Sequence, residues 1–364
     1  SGYYTPQVVD LKVIVMRRAV VAALACLLAA GGALSQTAAQ GPAFLEADPG
    51  FAELGAVAEP LDAPSLERAA LLASGVAPER LEPYLVKLSR ILAELGAESG
   101  RYSDSAATAE AALGFLHKNV LKAYREEATT LDGILDSGFY NCISSAVLFA
   151  LAARSLGIEA AGVRTSDHAF GRVIIGDRSV DVETTNPYGF DPGGKKEFKD
   201  SFGKVTGFAY VAPGGYGDRR SIGARELVGL ILSNRASGLE RRGRYAEATK
   251  LGADYAALCP GQDSRAFLVG RINNLVADLE SRRDYAGAEA AARAAAAAMP
   301  SEPKLAALAM TSSYNRAAAL GQAGDWEAAF EAAIRVSAAA SLDAAARDAV
   351  AAREAAAELA ATSL

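Results

Sequence analysis

The feature that most constrains this chain is a pattern that occurs three times in its last third. NRASGLERRGRYAEA begins at Asn234, NNLVADLESRRDYAGA surrounds Asn274, and NRAAALGQAGDWEAA begins at Asn315. In each copy an aromatic residue stands 11 positions after that Asn (Tyr245, Tyr285, Trp326), and an alanine follows three residues later (Ala248, Ala288, Ala329). Two units end in proline, Pro260 and Pro300, and the period is about 40 residues. Each unit reads as a helix, a short polar turn and a second helix, and the abundant alanine favours that reading. A single helical hairpin cannot bury its apolar face, so the units must stack on one another. Residues 226–364 are therefore expected to form an all-α array of helical hairpins.

The opening of the chain reads as a targeting segment rather than as fold. From Met16 it runs MRRAVVAALACLLAAGGALSQTAAQ, with two arginines before an apolar run and small residues after it. This is the layout of a signal peptide. The run of roughly 16 residues is short for a membrane span. Cleavage after Ser35 or Ala39 is expected, and residues 1–40 are set aside as leader. Cys26 makes a poor lipoprotein site, because the apolar run continues past it and Ala23 stands three residues before it. The mature chain is thus expected to be exported, periplasmic or associated with the cell envelope, without an integral span. Residues 40–50 read as a linker.

Charge and rare residues narrow the chemistry. The net charge is −6, with no broad basic stripe, which argues against nucleic acid as a partner. Three cysteines and two histidines leave almost nothing for a His/Cys zinc cluster, and no metal or organic cofactor is implied by the readings below. Any Cys–His chemistry must use His117 or His168.

Residues 41–225 show a change of period. Helical spacing runs from Phe51 to about Thr130, including an amphipathic stretch over 111–128. CISSAVLFALAARSLG (142–157) then reads as a helix apolar on nearly all sides, hence buried, with Asn141 as N-cap and Gly157 just past its end. Three strand candidates follow, 159–166, 168–175 and 179–185, with a hairpin turn at Gly176–Asp177. Residues 186–223 are rich in glycine and proline and read as loop, with Lys195 and Lys196 solvated in it.

Cys142 would stand in the first turn of the buried helix, where unpaired N–H groups favour a thiolate. His168 would begin a strand and could face that helix end as a general base. Asp181 and Glu183, two apart and so expected on one face, could orient the ring. Taken singly, Cys142 is equally a core cysteine and His168 a structural histidine. His117 precedes Cys142 on the amphipathic helix, and Cys259 reads as packing.

The order of Cys on a helix, His on a strand and acid on the next strand resembles the transglutaminase-like superfamily of papain-type thiol enzymes. The text that carries it is YNCISSAVLFALAARSLGIEAAGV and DHAFGRVIIGDRSVDVETT, within roughly residues 105–210. The resemblance implies an α+β, papain-like core with the Cys helix packed on a small antiparallel sheet, and a catalytic set of Cys142, His168 and an acid. Glu183 stands 15 residues after His168 and two before Thr185, which fits the family spacing; Asp181 has the usual residue type but comes two positions early. Glu183 is preferred. Asn141 is a candidate oxyanion helper beside the Cys142 backbone N–H. The implied activity is thiol acyl transfer on protein or peptide amides, with hydrolysis favoured over cross-linking. The hairpin array is similar to tetratricopeptide repeats and is expected to bind the substrate or a protein partner. The alternative is a non-catalytic scaffold, in which the repeats hold a partner and the thiol domain is inactive.

Overall fold

The computed structural model describes residues 43–333, except 100, 101, 103, 194 and 208–216. The leader reading of residues 1–40 and the end of the array, 334–364, lie outside the described residues. Four helices open the described chain: α1 (Pro49–Ala56), α2 (Ala63–Ser74), α3 (Leu81–Ser99) and α4 (Ser105–Asn119). Asp48, Asp62 and Asp104 cap three of them by accepting backbone N–H groups of the first turn.

After α4 the expected helix over 111–128 does not continue. The chain forms β1 (Ala123–Tyr124), which pairs in parallel with β2 (Phe139–Tyr140), with α5 (Leu131–Ser137) between them. The N–H groups of Lys122 and Arg125 donate to the carbonyls of Gly138 and Tyr140, both at 2.8 Å. Tertiary pairing thus overrides the helical propensity of this stretch.

The centre is α6 (Cys142–Ser155), followed by β3 (Glu159–Arg164), β4 (Ala169–Ile175) and β5 (Arg178–Val182). Every residue of α6 from Ser144 to Ala153 is buried. The helix packs on β3 and β4, and its other sides meet α2 and α4. Gly171 on β4 lets it approach closely: a Cβ there would lie 3.0 Å from the ring of Phe149.

Residues 186–223 hold more than loop. They form α7 (Lys196–Thr206) and β6 (Arg220–Ile222), which extends the antiparallel sheet in the order β5-β4-β3-β6. A three-residue strand leaves almost no period in the sequence, so only pairing reveals it. Lys195 is not merely solvated, since its Nζ donates to Glu110 at 2.9 Å and to the Phe190 carbonyl at 2.5 Å.

Helices α8 (Ala224–Glu240), α9 (Tyr245–Leu258), α10 (Gln262–Ser281), α11 (Tyr285–Ala298) and α12 (Pro303–Gln322) follow, and residues 326–333 are again helical. Consecutive members pack on one another. The recurring asparagines tie successive layers. Asn274 donates to Glu240 and Asn315 to Glu280, each at 3.0 Å. The first in the series, Asn234, donates instead to Thr129 Oγ1, also at 3.0 Å.

The boundary expected at residue 225 falls at the start of α8, and α8 serves both sides of it. Its buried face packs on α2, α6 and β3, while it also pairs with α9. One hydrophobic core runs from Phe51 to Leu258, and a second joins α9 through α12. The expected linker is docked where it is described. Phe44 and Leu45 pack on the second core, and Asp48 N–H donates to buried Asp254 at 2.8 Å. The molecule is mixed α+β and mostly helical. Among the described residues no helix is long and apolar enough to cross a membrane.

Candidate active site

The N-terminus of α6 is held by two interlocking contacts. Asn141 Oδ1 accepts the N–H groups of Ile143 and Ser144 at 3.0 and 3.1 Å, and the Ser144 hydroxyl accepts Asn141 N–H at 3.0 Å. This is a capping box with asparagine and serine in the two roles. The preceding loop locks it. Asn141 Nδ2 donates to the Glu126 carbonyl at 2.8 Å, and Ser144 Oγ donates to the Ala128 carbonyl at 2.7 Å. Cys142 is the first residue of the helix, half-buried and not in a disulfide. Asn141, expected as an oxyanion helper, is buried at this cap, with Oδ1 and one Nδ2 hydrogen engaged, and it also lines the cleft beside Cys142.

His168 ends the turn that joins β3 to β4. Its N–H donates to Thr165 Oγ1 at 3.0 Å, and Thr165 N–H donates to the His168 carbonyl at 2.9 Å. Its ring Nε2 lies 2.7 Å from Glu183 Oε2, and the ring also hydrogen-bonds the Cys142 side chain. Burial alone would hold the ring neutral. The charge of Glu183, with the hydrogen bonds to Cys142 and Glu183, overcomes it and pushes the ring pKa up to about 11.

Glu183 stands just past the end of β5, in a turn that closes on itself. Its N–H donates to the Gly189 carbonyl at 2.8 Å. A Cβ on Gly189 would fall 1.9 Å from the Glu183 carbonyl oxygen, so only glycine fits there. The second carboxylate oxygen, Oε1, accepts Thr185 Oγ1–H at 2.7 Å and Thr185 N–H at 3.3 Å. The sequence counted Asp181 and Glu183 as sharing a face, and the structure separates them. Asp181 is in register with Arg172 across β4–β5. It accepts Arg172 Nε and Nη2 at 2.9 and 2.7 Å, and Arg219 as well. Alternation stops at Val182, where the strand ends, and the turn carries Glu183 to His168 instead.

His117 lies behind this turn. Its Nε2 is 3.0 Å from the Thr184 carbonyl, and its ring stands edge-on to Tyr140 at 5.9 Å. Burial lowers its pKa to about 4, so it is neutral at physiological pH and supports the turn.

Cys142 and His168 open onto a cleft of about 450 Å³. One wall carries Tyr124 and Arg164. The other is formed by α8, which presents Leu230, Ser233 and Ser237 at one-turn spacing, with Arg241 just past its end. Among the described residues none before Tyr124 lines this cleft, so the N-terminal helices pack behind the site and do not cover it. Sequence reasoning missed both Tyr124 and the α8 wall. The wall left a signal, namely Ser233 and Ser237 four apart on a helix whose first half is largely buried. Groups of three or more His, Cys, Asp or Glu side chains placed to hold a metal ion do not occur among the described residues. Comparisons of the chain with protein-family models, with curated proteins and with solved structures gave no match.

Proposed function

We propose that this protein is an exported thiol acyl-transfer enzyme acting on protein or peptide amides, with a papain-like, transglutaminase-like core. The observation that carries the reading is one imidazole ring hydrogen-bonded at once to the Cys142 thiol and to the Glu183 carboxylate, at the floor of an open cleft. Cys142 is the nucleophile. His168 accepts the thiol proton and returns it to the leaving amine. Glu183 holds the ring orientation and stabilises its charge. A polar cleft wall admits water, which favours hydrolysis of the acyl-enzyme over transfer to an amine.

The array of helical hairpins, read as tetratricopeptide-like, supports a polypeptide substrate or partner. Glu126, Asn234 and Arg241 line both the catalytic cleft and an adjoining depression of about 510 Å³. An extended chain laid along α8 would contact both. The leader reading places the enzyme in the periplasm or cell envelope.

The test is the rate of iodoacetamide modification at Cys142 over about pH 5 to 9, in wild type and His168→Ala. The expected outcome is fast modification near neutral pH that His168→Ala slows by about 10²-fold or more. Slow modification in both proteins would reject the enzyme and favour a scaffold whose repeats hold a partner.

A further inference from the structure

Thiol addition to a carbonyl makes its oxygen negative, and that charge needs donors aimed at it. The Cys142 backbone N–H, in the first turn of α6, has no intrahelical acceptor and can be one. Asn141 already has its Oδ1 in the helix cap and one Nδ2 hydrogen on the Glu126 carbonyl.

Tyr124 stands in the right place. The parallel β1–β2 pairing sets it in register with Tyr140, two residues before the nucleophile. Its ring is edge-on to Tyr140 with centroids 6.0 Å apart. It is half-buried and lines the cleft with Cys142 and His168. The two buried phenols described in this domain are engaged: Tyr140 donates to the Thr185 carbonyl at 3.2 Å, and Tyr84 to Asp136 at 2.8 Å. The Tyr124 hydroxyl has no hydrogen-bond partner among the described residues, so its donor is free to face the cleft.

Resting on the acyl-transfer reading, we propose that the Tyr124 hydroxyl and the Cys142 backbone N–H together bind the substrate carbonyl oxygen as it becomes an oxyanion. Sγ adds to the carbonyl carbon, a C–S bond forms, and the π electron pair moves onto oxygen, where the two donors hold it. The pair returns, the bond to the leaving group breaks, and His168 protonates that group. Water then adds to the thioester while His168 takes its proton. The oxygen again sits between the two donors, and the C–S bond breaks to restore the thiolate. Burial, then the negative charges near the ring from Cys142, Glu126 and Glu183, holds the phenol proton on well beyond its usual range. Tyr124 therefore acts as a donor throughout and not as a base.

The experiment pairs two probes on wild type and Tyr124→Phe, with Cys142→Ala as background. p-Nitrophenyl acetate acylates the thiol through an oxyanion. Iodoacetamide alkylates it at a saturated carbon and makes none. Tyr124→Phe keeps the ring against Tyr140. The expected result is acylation slowed by about 10- to 10³-fold with alkylation unchanged. Equal acylation in both proteins overturns the role of the hydroxyl alone. A parallel fall in both rates also overturns it, since the substitution would then act on the thiol itself. A wild type that alkylates but does not acylate above background overturns the acyl-transfer reading, and the proposal with it.

Discussion

Cys142 and Cys259 each stand at the end of a helix, and the ends are opposite. Cys142 begins α6, where free N–H groups and the helix dipole favour an anion, with a charged imidazole against it and a cleft in front. Cys259 caps the C-terminus of α9, where carbonyls gather, and its thiol donates to the Arg225 carbonyl at 3.4 Å. A Cβ on Gly229 of α8 would lie 2.7 Å from its sulfur, so it fills a tight helix contact. Burial, reinforced by the charge of Glu226, pushes its pKa up to about 12. One residue type thus becomes a candidate nucleophile or a packing group according to which helix end it occupies and what charge it meets.

The largest effect expected from this contrast is on catalysis. Cys142→Ala should reduce acyl transfer by at least about 10⁴-fold, whereas Cys259→Ala should change it less than about twofold. Steady-state rates on p-nitrophenyl acetate measure both, and a comparable loss in the two variants would collapse the distinction. The two acids sharpen it next. Glu183→Gln should cost about 10³- to 10⁴-fold in kcat by misorienting His168. Asp181→Asn should leave kcat within a few-fold and lower stability by about 1–3 kcal/mol, read from urea midpoints, by weakening its contacts with Arg172 and Arg219.

Alkylation at pH 7 comes third. A pKa of about 12 leaves roughly 10⁻⁵ of Cys259 as thiolate. Peptide-resolved mass spectrometry should find Cys142 modified at least about 100-fold faster in the folded protein. The last effect is on stability in alkali. The folded chain holds a proton on His168 up to about 11, against 6.5 in the unfolded chain. That contribution is fully present below about pH 6.5 and fades as pH rises towards 11, with a slope of at most about 1.4 kcal/mol per pH unit. Glu183→Gln should flatten this slope. Cys259→Ala should alter the slope only between about 9 and 12, where its raised thiol pKa makes the folded state resist losing a proton.

Much of the site was legible because it is local. Asn141 before an apolar run marks a helix start, and the cap contacts run to residues two and three positions on. The spacing of His168 and Glu183 preferred the acid that meets the ring. The pairing of Asp181 with Arg172 and Arg219 was not legible, because one partner comes from the neighbouring strand and the other from 38 residues away. Tyr124 was hidden for a similar reason. It sits in a stretch with helical propensity, and only its pairing with Tyr140 draws it into a strand beside the cleft at Cys142.

By itself the sequence determined the periodic quantities: the helical hairpins with their recurring asparagine, aromatic and alanine, the buried helix behind Cys142, and the hairpin at Gly176. These depend on neighbours a few residues apart, so a linear pattern encodes them. Only the tertiary structure decided what the repeated asparagine is for, which links Asn274 and Asn315 to the helix two earlier in the chain but Asn234 to Thr129. It alone decided that α8 walls the cleft, that β6 joins the sheet, and that the strand ends at Val182 so that Glu183 turns to His168. Each of these is a contact between residues distant in sequence, selected by packing and hydrogen-bond satisfaction over the whole core rather than by local preference.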